Sequence, residues 1–165
     1  MSSYLISVVK QFEYYKSLGD KTFSQLTFED LQNDIAHDAN SVSILVKHLV
    51  GNMLSRWTNF LSEDGEKEWR QREREFEDTY ITKEELIDHW KGWSCLFDAI
   101  KPLTENELEC IIYIRNEGHT VTEAINRQLA HYAYHVGQIV FLGKVLKGKE
   151  WQSLSIPKGG SKKYN

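Results

Sequence analysis

Apolar side chains recur at steps of three and four residues in four separate long stretches of this chain, a period that suits helices packed through one face. Only two prolines, Pro102 and Pro157, stand among the 165 residues. Leu5, Val8, Phe12 and Tyr15 predict a first helix over about Ser3 to Leu18, with Gly19 as its stop. Thr27-Phe-Glu-Asp30 then offers a cap and a short turn of helix. Asn40 is the expected N-cap of a second helix, Ser41 to about Leu61, striped by Ile44, Leu45, Leu49, Met53 and Trp57. The mixed-charge run over residues 63 to 78 carries too few apolar residues for a core element, and is expected as a solvated connection anchored by Trp69 and Phe76.

Thr82-Lys-Glu-Glu85 has the form of a capping box and opens a third helix, in which Leu86, Trp90, Trp93, Phe97 and Ile100 form an aromatic stripe ended by Pro102. The β-branched run Ile111-Ile-Tyr-Ile114, followed by Asn116-Glu-Gly118, reads as a small hairpin or extended excursion. Thr120-Val-Thr-Glu123 is a second capping box, after which a fourth helix runs from Ala124 to about Lys147 until Gly148 closes it. The expectation is an all-α four-helix bundle with a small strand-like insertion before the last long helix, spanning residues 1–165 as one domain.

Composition narrows the functional classes. A formal charge of -4 disfavours non-specific binding to nucleic acid, which depends on lysine and arginine neutralising phosphates. No stretch reaches the roughly 20 apolar residues of a membrane span, and the amino terminus lacks the pattern of a signal peptide. Cys95 and Cys110 stand alone, which fits small buried thiols in a reducing cytoplasm.

His131 and His135 carry the chemical argument. Four residues apart on a helix, they lie about 40° apart around the axis, one turn along it. Ala124 and Leu142 share that face, so both imidazoles point toward the bundle interior, where ligation to a cation would use their lone pairs. A metal site wants at least three protein ligands, and His48, between Ile44 and Asn52 on the second helix, is the best third donor. The same placement also suits three core histidines hydrogen-bonded to hydroxyls or carbonyls. His37, His89 and His119 are expected at the surface or in loops. Tyr132 follows His131, so the glutamate of an H-E-x-x-H metalloprotease is missing; no E-x-x-H, G-x-S-x-G or phosphate-cradling loop is present either.

One histidine on the second helix with H-x-x-x-H near the start of the fourth resembles the DinB/YfiT-like superfamily. Ser55-Arg-Trp-Thr-Asn-Phe-Leu-Ser-Glu-Asp-Gly-Glu-Lys, Ala124-Ile-Asn-Arg-Gln-Leu-Ala-His-Tyr-Ala-Tyr-His-Val-Gly-Gln-Ile and Leu154-Ser-Ile-Pro-Lys-Gly are similar to a bacterial subfamily of unassigned function. The resemblance implies that His48, His131 and His135 hold a divalent ion, zinc or nickel, with water at the open positions. It also implies homodimers, and enzymes that transfer low-molecular-weight thiols such as bacillithiol or use mycothiol in isomerisation. Three neutral imidazoles leave the ion's charge uncompensated, so a thiol or water beside it would lose its proton near neutral pH.

Asn52 and Gln138 are candidates for orienting substrate or ligands, Arg127 for meeting a substrate carboxylate, and Arg56 more loosely for the same task; a plain structural role is open for each. Three classes follow: a metal-dependent transferase or hydrolase acting on a small molecule, a non-catalytic metal-binding or stress-response protein, and a metal-free helical interaction protein.

Overall fold

A computed structural model of the chain describes residues 3–163. Residues 1–2 and 164–165, the ends of the expected 1–165 unit, lie outside the described residues. The structure is predominantly helical, with one two-stranded antiparallel sheet. In chain order it comprises α1 (Ser3–Phe23), α2 (Phe28–Gln32), α3 (Val42–Trp57), α4 (Lys83–Trp90), α5 (Trp93–Ile100), β1 (Ile111–Ile114), β2 (Glu117–Thr120) and α6 (Val121–Lys147). Helix α1 lies along α6, while α3 packs against α4, α5 and α6. No helix among the described residues is long and apolar enough to cross a membrane.

Several boundaries differ from expectation for identifiable reasons. Helix α1 continues through Gly19 to Phe23. A Cβ at Gly19 would come within 2.5 Å of Trp90 Cζ2, so glycine there lets α1 approach a buried indole instead of ending the helix. The N-cap of α3 is Ser41, not Asn40; its hydroxyl accepts from the Ile44 amide at 3.3 Å. That helix stops at Trp57, four residues short of Leu61.

The expected third helix is two helices. Lys91 and Gly92 donate to the carbonyls of Asp88 and His89, closing α4 with tighter bonds, and a Cβ at Gly92 would meet Val50 Cγ1 at 2.5 Å. The break lets the backbone come down onto α3 while Leu86, Trp90, Trp93 and Ile100 all stay buried. Thr82 caps α4 as expected, but Glu85 turns to the Ile81 amide at 2.9 Å instead of the Thr82 amide. The boxes at Thr27–Asp30 and Thr120–Glu123 are complete.

The strand-like excursion is a hairpin pairing Ile111 with Thr120 and Ile114 with Glu117. Its two turn residues, Arg115 and Asn116, both have positive φ (56° and 62°), the geometry that matches the twist of paired strands. Asp64 stabilises this turn from 51 and 52 positions away, accepting from the Arg115 amide at 2.9 Å and the Asn116 amide at 2.8 Å. Since β2 leads directly into Thr120, the hairpin fixes where α6 begins.

Two further expectations fail. Over residues 63–78 the proposed anchors Trp69 and Phe76 are about half exposed, whereas the charged side chains of Lys67, Arg70 and Glu75 are buried. Ionic and hydrogen-bonding contacts, not apolar burial, hold this connection to α3 and the rest of the fold. Cys110 is exposed and Cys95 half-buried, so neither is a fully buried thiol.

At the centre of the core, the Tyr132 ring of α6 lies 5.8 Å from Phe12 of α1 and 5.5 Å from Trp93 of α5. Its hydroxyl accepts from Trp57 Nε1 at 3.1 Å and donates to Asn52 Oδ1 at 3.2 Å, both on α3. Tyr132→Phe keeps the ring and strips the last turns of α3 of two buried partners. It should lower unfolding free energy by about 2–4 kcal/mol, read as a fall in the urea midpoint with an unchanged slope.

Candidate metal centre

His48 stands on α3, two turns in from the Ser41 cap, while His131 and His135 stand on α6 on either side of the Tyr132 lock. Fixing Tyr132 against Trp57 and Asn52 sets the register of α6 on α3 and brings the three rings together. His48 Nε2 and His131 Nε2 are 3.4 Å apart. The ring centroids are separated by 5.4, 4.9 and 4.7 Å, and one ligand atom from each residue lies within 4.8 Å of the other two. Two imidazole nitrogens about 2.1 Å from a tetrahedral ion would themselves stand about 3.4 Å apart. The cluster could therefore hold a metal ion.

The far nitrogens of two of these rings are already committed. His48 Nδ1 lies 3.0 Å from Glu75 Oε2, and a carboxylate can only accept, so Nδ1 carries the proton and Nε2 keeps its lone pair. His135 Nδ1 donates to Gln138 Oε1 at 2.8 Å, leaving its Nε2 in the same state. Glu75 is itself clamped by Arg70, with Nε to Oε1 at 2.7 Å and Nη2 to Oε2 at 2.9 Å. Phe76, next in the chain, stacks on the His48 ring at 5.6 Å between centroids. Such partners fix ring orientation and raise ligand basicity.

Electrostatics favour the neutral form of the two α6 rings. Burial, then the neighbouring His135 and His48, push His131 down to about 3, with Arg56 and Arg70 adding to the effect. Burial also lowers His135, although its bond to Gln138 works the other way. Burial would raise Glu75, but the hydrogen bonds from His48 and Arg70 outweigh it and hold the carboxyl below the ordinary value. The site thus presents His131 and His135 as neutral imidazoles and an ionised Glu75 at physiological pH, a protonation state that suits a cation.

A family model described as a protein of unknown function, DUF1572, matches residues 1–160 of the chain. The chain belongs to the DUF1572 family. No curated protein matches it. The match covers α1 through α6, so all three histidines of the DUF1572 chain, with Glu75, Arg70 and Gln138, lie inside the family region.

The other candidate residues separate clearly. Gln138 sits beside His135 as expected, in a supporting position. Asn52 is buried and occupied by the Tyr132 hydroxyl, so it braces α6 instead of facing the histidines. Arg127 is exposed, and no bond joins it to the cluster. Arg56 is buried with Nε and Nη1 unpartnered and Glu66 3.9 Å from its Nη2, and burial lowers its pKa. His37 is exposed, as expected, but His119 is half-buried with Nε2 4.0 Å from Glu117 and without a hydrogen bond, and His89 is half-buried and bonded to the Tyr80 hydroxyl.

Glu75 and Arg70 escaped the sequence reading. Their segment shows no helical stripe, and nothing in a mixed-charge run says which charge folds inward. The available signal was Gly51, one turn beyond His48: a Cβ there would collide with the Glu75 carboxylate, so glycine opens the gap that the acid fills.

Two outcomes follow. Glu75→Gln should weaken divalent-metal affinity about 10- to 100-fold, measured by competition with a chromophoric chelator. Below pH 6.5 an unfolded histidine gains a proton that folded His131 refuses until about pH 3, so the metal-free protein should lose stability as pH falls through that window. Urea midpoints at pH 7 and pH 5 should differ, and His131→Gln should reduce the difference.

Proposed function

We propose that this DUF1572 chain is a divalent-metal-binding protein of the DinB/YfiT-like kind, acting as a metal-dependent transferase of thiols or as a hydrolase on a small molecule. One observation carries the reading: three imidazoles from two separate helices converge on a common point, with the outer nitrogens of His48 and His135 tied to Glu75 and Gln138. In this reading α1, α3, the broken α4–α5 pair and α6 are the four members of a DinB-like bundle.

His48, His131 and His135 would hold the ion through neutral nitrogens, and zinc or nickel suits an all-imidazole set. A bound divalent cation would supply Lewis acidity, drawing the pKa of a water or thiol beside it toward neutrality. The chain's own residues do the rest. Glu75, locked by Arg70, keeps His48 in one tautomer, and its negative charge offsets part of the charge the site takes on. Gln138 does the same for the orientation of His135. Phe76 covers one face of His48 and keeps water from that side. With Asn52 occupied, Arg127 is the candidate still free to meet a substrate carboxylate from the surface, one turn before His131.

Protein purified without added metal should contain about one divalent ion per chain by elemental analysis, and His48→Ala and His131→Ala should each lose it. Full occupancy in either variant would remove that residue from the ligand set. Loaded protein incubated with bacillithiol and a haloarene should form the thioether conjugate, and stripping the metal with a chelator should stop it. Stoichiometric metal without turnover on a broad panel of thiols and electrophiles would assign the chain to non-catalytic metal binding.

A further inference from the structure

A cavity of about 230 Å³ lies between α3, α4 and the 63–78 segment, and its lining includes none of the three histidines. Lys47, Gly51, Trp69, Arg74, Glu75 and His89 are among the residues that line it, and Gly51 lies against the Glu75 carboxylate. We propose that this cavity is a second small-molecule site, one that binds a monocyclic aromatic carboxylate. The proposal does not depend on the metal reading.

Three features select that ligand. The first is charge: the lining carries Lys47, Arg70 and Arg74 against one carboxylate, Glu75, whose oxygens are already taken by Arg70 and His48. The second is an excess of free donors. Arg74 is exposed and its guanidinium has no partner among the described residues, and Lys47 spends two of its three N–H groups on Glu77 and Thr79. His89, whose pKa burial lowers, meets the Tyr80 hydroxyl through Nδ1 and leaves Nε2 without a hydrogen-bond partner among the described residues. An anion with two acceptor oxygens answers Arg74 directly, since a guanidinium matches a carboxylate in a fork.

The third feature is the aromatic wall. Trp69 is 55% exposed, an arrangement that wastes a large apolar ring unless something covers it. Together with the methylene stems of Lys47 and Arg74, it gives a flat body somewhere to stack. At about 230 Å³ the cavity falls below the roughly 300–1,000 Å³ of sites for drug-sized ligands, so it admits one ring and excludes a nucleotide.

Trp69 also supplies the readout. Of the five tryptophans, Trp57, Trp90 and Trp93 are buried and Trp151 is half-buried, so emission changes on ligand addition report chiefly on Trp69. Titration with phenylacetate should give a saturable change in tryptophan emission, and the uncharged phenylacetamide should not. Arg74→Ala should weaken phenylacetate at least about tenfold. Trp69→Phe should abolish the emission change while calorimetry still detects binding, and His131→Ala should bind as the parent does.

Equal binding of acid and amide, undiminished affinity in Arg74→Ala, or no saturable response at millimolar phenylacetate would overturn the proposal. Loss of binding in His131→Ala would also overturn it, by placing the ligand at the histidines. Inorganic phosphate competing as well as phenylacetate would reduce the site to a simple anion hole, with no role for the indole.

Discussion

The buried hydroxyl of Tyr132 is the contact on which the functional geometry rests. Two helices that pack through apolar side chains can slide by a fraction of a turn at small cost, because hydrophobic contact is non-directional. A hydrogen bond is directional, and here one hydroxyl is both acceptor and donor for two α3 side chains in successive turns, Asn52 at 3.2 Å and Trp57 at 3.1 Å. Sliding α6 along α3 would leave polar groups unsatisfied in a region where Tyr132 has no exposure. His131, the preceding residue, and His135, three residues on, therefore meet His48 at a fixed height.

A second constraint acts from outside the helices. Glu75, Arg70 and His48 form a charged chain over α3, with Arg70 and Glu75 side chains only 2% and 8% exposed. Removing one member would strand a buried charge, a loss of about 3–5 kcal/mol in comparable pairs. The network therefore links the order of the 63–78 segment to the orientation of a histidine in the cluster. At the other end of that segment, Asp64 holds the hairpin turn that sets the start of α6. One connection thus braces both helices that bear histidines.

Much of this was legible from residue order. The step of three and four located the long helices, and Thr27, Thr82 and Thr120 announced three helix starts through chemistry confined to one turn. The hairpin was visible as a β-branched run beside turn-forming residues. The misread positions share a cause. Gly19 resembles a helix stop in isolation, yet it is small because Trp90 lies against it; the aromatic stripe ran straight through Gly92, yet the helix breaks there where the backbone meets Val50. Asn52 reads as an available amide until the Tyr132 hydroxyl is seen on it. Each depends on a neighbour distant in sequence.

What the sequence determined alone was local: helix periods, caps, and the placement of His131 and His135 on one face, because four residues of α-helix return nearly to the same direction. The addition of His48 was an inference about which face of another helix turned inward. Only the tertiary structure decided that the three nitrogens converge within 4.8 Å, and that an acid from a highly charged connection stands behind one of them. The physical reason is that periodicity fixes angles about a single axis. Distances between axes follow from packing volumes, buried hydrogen bonds and ion pairs, which no window of consecutive residues contains.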